Sequence, residues 1–159
     1  MSVAFVKEPN EDQVEALPER DLGTDPNFVT PHGLELLDAE IEAGTAAAER
    51  ARAAGDKIAL AMAHRDLRYW RARRSTAQVV EPDRDSDLVQ FGHAVTIRRA
   101  RGPVQTYRIV GIDEADPARG LVSYLSPLAR QLVGKEEGES VGIGGDTAEI
   151  LSIGTADGD

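Results

Sequence analysis

Residues 81–97 read EPDRDSDLVQFGHAVTI, and across them the hydrophobic period of the chain changes. Upstream, apolar residues recur at helical spacing: Leu60, Ala63, Leu67, Trp70 and Ala77 share a heptad-like stripe that Arg74 interrupts. An earlier stripe, Leu34, Leu37, Ile41, Ala48 and Ala51, opens at Thr30-Pro31, with Thr as N-cap and Pro at the first helical position. Gly44 interrupts it, at a cost of about 1 kcal/mol relative to Ala, and Gly55 stops it. Two such stripes meeting at one glycine predict an antiparallel helical hairpin over residues 30–80. Arms of about 24 residues would reach roughly 36 Å at 1.5 Å per residue.

Downstream of 81–87, a polar linker with Pro82, the period falls to two. Residues 94–97, 104–110 and 121–124 read as strands, separated by turns at 101–103 and 116–120. Ser126-Pro127 opens a short helix to Gly134, with Ser as N-cap and Pro at N1. Residues 140–143 and 148–153 close a hairpin across Gly144-Gly145-Asp146. The fold class is therefore α+β: an N-terminal antiparallel helical hairpin, then residues 88–155 as a small antiparallel sheet with one short helix. Residues 1–29, acidic and punctuated by Pro9, Pro18 and Pro26, read as an extended or disordered tail. Within it Val3-Ala4-Phe5-Val6 has the composition of a short strand.

Composition narrows the function classes. With no cysteine, disulfide frameworks, thiolate chemistry and Cys-based zinc sites are excluded. No apolar run approaches the ~20 residues that span a bilayer. The N-terminus lacks the apolar core of a signal peptide. A cytoplasmic protein with no membrane partner is expected. A net charge of −10 argues against nonspecific coating of nucleic acid. The charge is nonetheless uneven. Seven carboxylates from Glu8 to Asp25 precede a basic stretch holding Arg65, Arg68, Arg71, Arg73 and Arg74, which suggests a directed electrostatic partner.

Four blocks carry a resemblance. Tyr107-Arg108-Ile109-Val110-Gly111-Ile112-Asp113-Glu114-Ala115-Asp116, Gly120-Leu121-Val122-Ser123, Ser126-Pro127-Leu128-Ala129-Arg130 and Leu132-Val133-Gly134-Lys135-Glu136-Glu137-Gly138 resemble, in order and spacing, the C-terminal domain of the GreA/GreB transcription-factor family. Thr30-Pro31-His32-Gly33-Leu34 resembles the start of that family's hairpin and Ala77-Gln78-Val79-Val80 its end. The resemblance implies an FKBP-like C-terminal domain docking on bacterial RNA polymerase, with the hairpin entering the secondary channel. Ser126 and Pro127 match a polymerase-facing loop; equally, they cap a helix.

In the family, an Asp and a Glu three residues later at the hairpin tip help hold a second Mg²⁺ in the polymerase active site, where it activates water to cleave backtracked RNA. Carboxylates at i and i+3 point together and supply the oxygens Mg²⁺ requires. Here Gly55-Asp56 matches the tip, but the Glu position falls on Ala59, followed by apolar Leu60, Ala61 and Met62. Asp56 is then either a tip ligand or a helix N-cap. The matched ends enclose about ten residues per arm fewer than is usual in the family, about 15 Å of reach. The expectation is a Gre-like regulator of elongation with weak or no cleavage stimulation, not itself an enzyme and with no cofactor of its own, Mg²⁺ belonging to the polymerase.

The arginine cluster would contact nascent RNA or polymerase, or else form a solvated face paired with hairpin carboxylates such as Glu40, Glu42 and Glu49. His32 and His93 carry no assigned role. The alternatives are a genuine cleavage factor, a prolyl isomerase, which would need an apolar, aromatic-lined pocket where residues 88–155 offer only Phe91, Tyr107 and Tyr124, and a generic coiled-coil adaptor. A monomer suffices, because the hairpin satisfies its own stripes.

Overall fold

The computed structural model describes residues 17–155. The strand expected at 3–6 and the first sixteen residues of the expected tail lie outside that range. Strand β1 (Phe28–Val29) leads into helix α1 (Pro31–Ala54) and helix α2 (Lys57–Thr76), followed by β2 (Gln78–Val79). Then come β3 (Ala94–Arg99), β4 (Val104–Val110), a 3-10 turn (Pro117–Arg119), β5 (Leu121–Ser123), α3 (Pro127–Leu132), β6 (Ser140–Ile143) and β7 (Asp146–Gly154). The chain divides into two units, the described part of Met1–Asp25 with Leu37–Thr76, and Pro26–Leu36 with the described part of Ala77–Asp159.

In the first unit the two helical stripes meet as the sequence predicts. Ala48, Ala63 and Leu67 are buried together, with Ile41, Ala47 and Leu60 packed around them. The small residues let the helices approach. A Cβ on Gly44 would stand 2.9 Å from Leu67 Cδ2 and 3.1 Å from its Cγ, so the glycine that weakens α1 locally seats Leu67 against it. Helix α2 ends at Thr76, short of the expected Val80, because Gln78 and Val79 pair in parallel with Phe28 and Val29 instead.

The second unit is built on a five-stranded sheet in the order β5-β4-β3-β7-β6. Inward residues alternate along the strands, and Val95, Ile97, Ile109, Val122, Val141, Ala148 and Ile150 form one core, closed by Ala129 and Leu132 of α3. The turn between β6 and β7 is Gly144-Gly145, both at positive φ (56° and 82°), the conformation a two-residue hairpin loop demands. One expectation needs correction. The sheet is mixed, because β5 pairs in parallel with β4 through Arg108–Leu121, Ile109–Val122 and Val110–Ser123. Parallel neighbours need a crossover rather than a tight turn, and residues 111–120 supply it.

The boundaries at residues 29/30 and 80/81 also shift. Residues 26–36 and 77–80 belong with the sheet. Gln78 N donates to Asn27 O and Val80 N to Val29 O, both at 2.9 Å. Phe28 stacks with Phe91 and Tyr124 at centroid distances of 6.3 and 5.5 Å, and the Tyr124 hydroxyl donates to the Pro26 carbonyl. The residues just before helix α1 are therefore held by specific contacts rather than continuing a tail.

Candidate functional site

At the hairpin tip, Gly55 adopts φ 66°, Gly55 N donates to Arg52 O, and Asp56 N donates to Ala51 O at 2.9 Å. This left-handed C-cap reverses the chain within two residues. Asp56 then starts α2: its Oδ1 accepts from Ala59 N at 3.0 Å, and its carbonyl accepts from Leu60 N. The carboxylate thus caps the helix, and the i+3 position, Ala59, adds no second oxygen ligand. One turn apart on α2, Ile58 is 53% exposed and Met62 45%. The tip surface thus combines exposed apolar side chains with the cations Arg52 and Lys57 and a single engaged carboxylate.

The five arginines of α2 do not form one free basic face. Arg68 donates from Nε to both carboxylate oxygens of Glu19, each at 3.0 Å, and from a terminal nitrogen to Oε1 at 2.7 Å. The Arg68 guanidinium holds the Glu19 carboxyl below its ordinary range, and Glu19 in turn raises Arg68. Arg74 Nε reaches Asp38 at 2.7 Å. Arg65 pairs with Asp66 at 3.4 Å. Arg73 is 3% exposed and donates to the Leu22 carbonyl. Arg71 is exposed. Two partners, Asp38 and Asp66, are hairpin carboxylates, as the solvated-face reading expects, though in place of Glu40, Glu42 and Glu49; Glu19 comes from outside the hairpin.

Glu19 comes from residues 17–25, which the sequence reading placed in the tail. Arg20 from the same segment lies 3.9 Å over the Tyr69 ring and 5.0 Å from that of Trp70, and reaches Asp66 at 3.4 Å. A cation–aromatic stack of this kind has no periodic signature. It joins residues about fifty positions apart, beyond the reach of any local pattern.

In the second unit, Ser126 sits at φ −63°, ψ 151°, and its side chain accepts from Ala129 N, while Pro127 occupies N1 and is exposed. The N-cap reading is therefore realised. Two buried polar residues, Glu114 and His93, were given no role by the sequence reading. Thr30 caps α1 by accepting from Gly33 N at 2.9 Å, and its hydroxyl also lies 2.8 and 2.7 Å from the two carboxylate oxygens of buried Glu114. The Glu114 carboxyl group therefore sits at the start of a 24-residue helix. His93, 2% exposed, accepts from Gln90 N at Nδ1. Burial pushes the His93 imidazole below its ordinary range, against the opposing backbone hydrogen bond and charge of Asp83.

Residues 84–154 match the family described as transcription elongation factor, GreA/GreB, C-term. These residues are therefore similar to the C-terminal domain of the GreA/GreB family. Over 84 residues the chain is 44% identical to the transcription elongation factor GreA of Paracoccus denitrificans, covering 50% of this chain and 54% of that protein. Over 95 residues it is 41% identical to GreB of Neisseria meningitidis serogroup A, covering 56% and 58%. The matches thus span little more than half the length of these curated relatives. Among solved structures, the GreA factor homolog 1 of Thermus thermophilus superposes with a TM-score of 0.40 at 16% identity, over 81% of this chain and 99% of that one. Among the described residues no helix is long and apolar enough to cross a membrane.

Proposed function

We propose that this chain is a Gre-like factor that binds bacterial RNA polymerase at the secondary channel and regulates elongation with little or no stimulation of transcript cleavage. The tip carries this reading. Placing a second Mg²⁺ takes oxygens from at least two convergent carboxylates. Asp56 is the single acid of the turn, its Oδ1 caps α2, and Ala59 stands where a partner carboxylate is needed. The chain would act in the cytoplasm as a monomer and would not itself be an enzyme. Any Mg²⁺ would belong to the polymerase. Ser126 and Pro127 would lie on the polymerase-facing surface of the C-terminal domain, and exposed Arg71 is the α2 arginine best placed to reach RNA or polymerase.

Binding is tested by fluorescence anisotropy of labelled full-length chain with the cognate core polymerase, competed by an unlabelled cleavage-active Gre factor. Mutually exclusive binding is expected. Independent binding, or none, would remove the secondary channel as its site. A genuine cleavage factor is the second reading, supported by the retained Gly55-Asp56 pair.

A further inference from the structure

The second unit contains a cavity of about 310 Å³ that neither the tip nor the Ser126-Pro127 loop explains. Its charged lining is Arg84, Arg108, His32 and one carboxylate, Glu81, with the Thr155 hydroxyl beside them and Pro82 on the wall. Two guanidinium groups around one concavity run against the net charge of −10 carried by the whole chain. With Glu81 as the one carboxylate against two guanidinium groups, the lining keeps an excess of positive charge, which raises the local concentration of anions.

Arg108 is the central observation. It lies on β4, is half-buried, and has no hydrogen bond or ion pair to its side chain among the described residues. A second depression that Arg108 also lines holds Asp113, Glu114 and Asp116, yet none of them forms an ion pair with it, and Glu114 is already engaged by Thr30. A guanidinium that no protein acceptor engages is available to an anionic ligand at the cavity surface. The cavity wall is also held in place rather than draped. A Cβ on Gly92 would stand 2.8 Å from Pro82 Cδ, so Pro82 packs directly on that glycine. Asp83 N donates to Gln90 Oε1 at 2.9 Å, and His93 is hydrogen-bonded to the Asp83 backbone. These contacts fix the segment that carries Arg84.

We infer that this cavity binds a small organic phosphate of nucleoside monophosphate size, with Arg108 and Arg84 holding the phosphate. Guanidinium forks match phosphate oxygens in pairs. The volume exceeds what an inorganic phosphate fills and falls at the low end of small-molecule sites, roughly 300–1,000 Å³. Pro31, Val80, Pro82 and Gly92 supply the apolar wall that the organic part needs.

The test is isothermal titration of the full chain with adenosine and guanosine monophosphates, the unphosphorylated nucleosides and inorganic phosphate, at matched ionic strength. Saturable one-site binding of a monophosphate is expected, with the nucleosides and inorganic phosphate at least tenfold weaker. Arg108→Ala should weaken binding at least tenfold and Arg108→Lys less. Arg98→Ala, which removes an exposed charge at the end of β3 outside the cavity, should leave it unchanged. Circular dichroism confirms that each variant is folded; should Arg108→Ala unfold, Arg84→Ala takes its place with the same expectation. Absence of saturation at millimolar ligand, or equal losses in the Arg98 and cavity variants, would overturn the assignment.

Discussion

Replacing Gly111 by Ala isolates a single steric contact. Gly111 is buried just beyond β4 and is not at positive φ, so alanine meets no backbone penalty there. Its Cβ, however, would stand 2.4 Å from the Phe28 carbonyl oxygen and 3.6 Å from Val29 Cα. Carbon and oxygen in contact sit about 3.2 Å apart or more, so β1 would have to retreat by roughly 0.8 Å, more than side-chain adjustment can absorb in a close-packed interior. That retreat strains two backbone bonds, Gln78 N to Asn27 O and Val80 N to Val29 O, each worth about 1 kcal/mol. It also disturbs the packing of Phe28 on Phe91 and Tyr124. Overpacking costs about 1–3 kcal/mol, so with the weakened bonds the loss should be about 3 kcal/mol. The assay is urea denaturation followed by far-UV circular dichroism, with amide exchange at Gln78 and Val80 as the local reporter. Gly142→Ala is the control, since nothing lies within 4 Å of its added methyl. If the two variants agreed to within about 0.5 kcal/mol, the close approach of β1 to Gly111 would be refuted.

Gly44→Ala should lower hairpin stability by about 1 kcal/mol in urea melts read by Trp70 fluorescence, because overpacking against buried Leu67 outweighs the gain in helix propensity of about 1 kcal/mol. Thr30→Val should cost about 2–4 kcal/mol by removing both a helix cap and a hydrogen bond to a buried carboxylate, and Glu114→Gln in the same background should cost less than it does alone. Burial holds the folded pKa of His93 below the unfolded value of about 6.5. Its contribution is full above about pH 6.5 and declines as pH falls toward the folded value; His93→Asn should flatten the urea midpoint over that window. The Glu19–Arg68 pair runs in the same direction at lower pH: its contribution is present above the ordinary carboxylate pKa of 4.5 and is lost as pH falls through the depressed one.

The local signals were legible. Thr30-Pro31, Gly55-Asp56 and Ser126-Pro127 each announced a helix start or stop by side-chain chemistry acting within four residues, and each element begins where that chemistry places it. The strands at 104–110 and 140–143 followed from alternation. What escaped was nonlocal. The parallel pairing of β5 with β4 and of β1 with β2 depends on which strands the crossover brings together, and a strand's own alternation does not encode its direction. Arg68 was visible as a cation, but its partner Glu19 lies 49 residues away and could not be chosen over Glu40, Glu42 or Glu49 from charge alone. Likewise Thr30 was read as a cap without its second bond to Glu114, 84 residues on. The tip chemistry was legible because it turns on residue identity: Ala59 has no oxygen to offer.

The most direct test of the account is transcript cleavage on backtracked elongation complexes of the cognate polymerase, with the chain added alone and then before a cleavage-active Gre factor. The account predicts no shortening of the RNA by the chain alone and inhibition of the competitor. Shortening by the chain alone, abolished in Asp56→Ala, would contradict it.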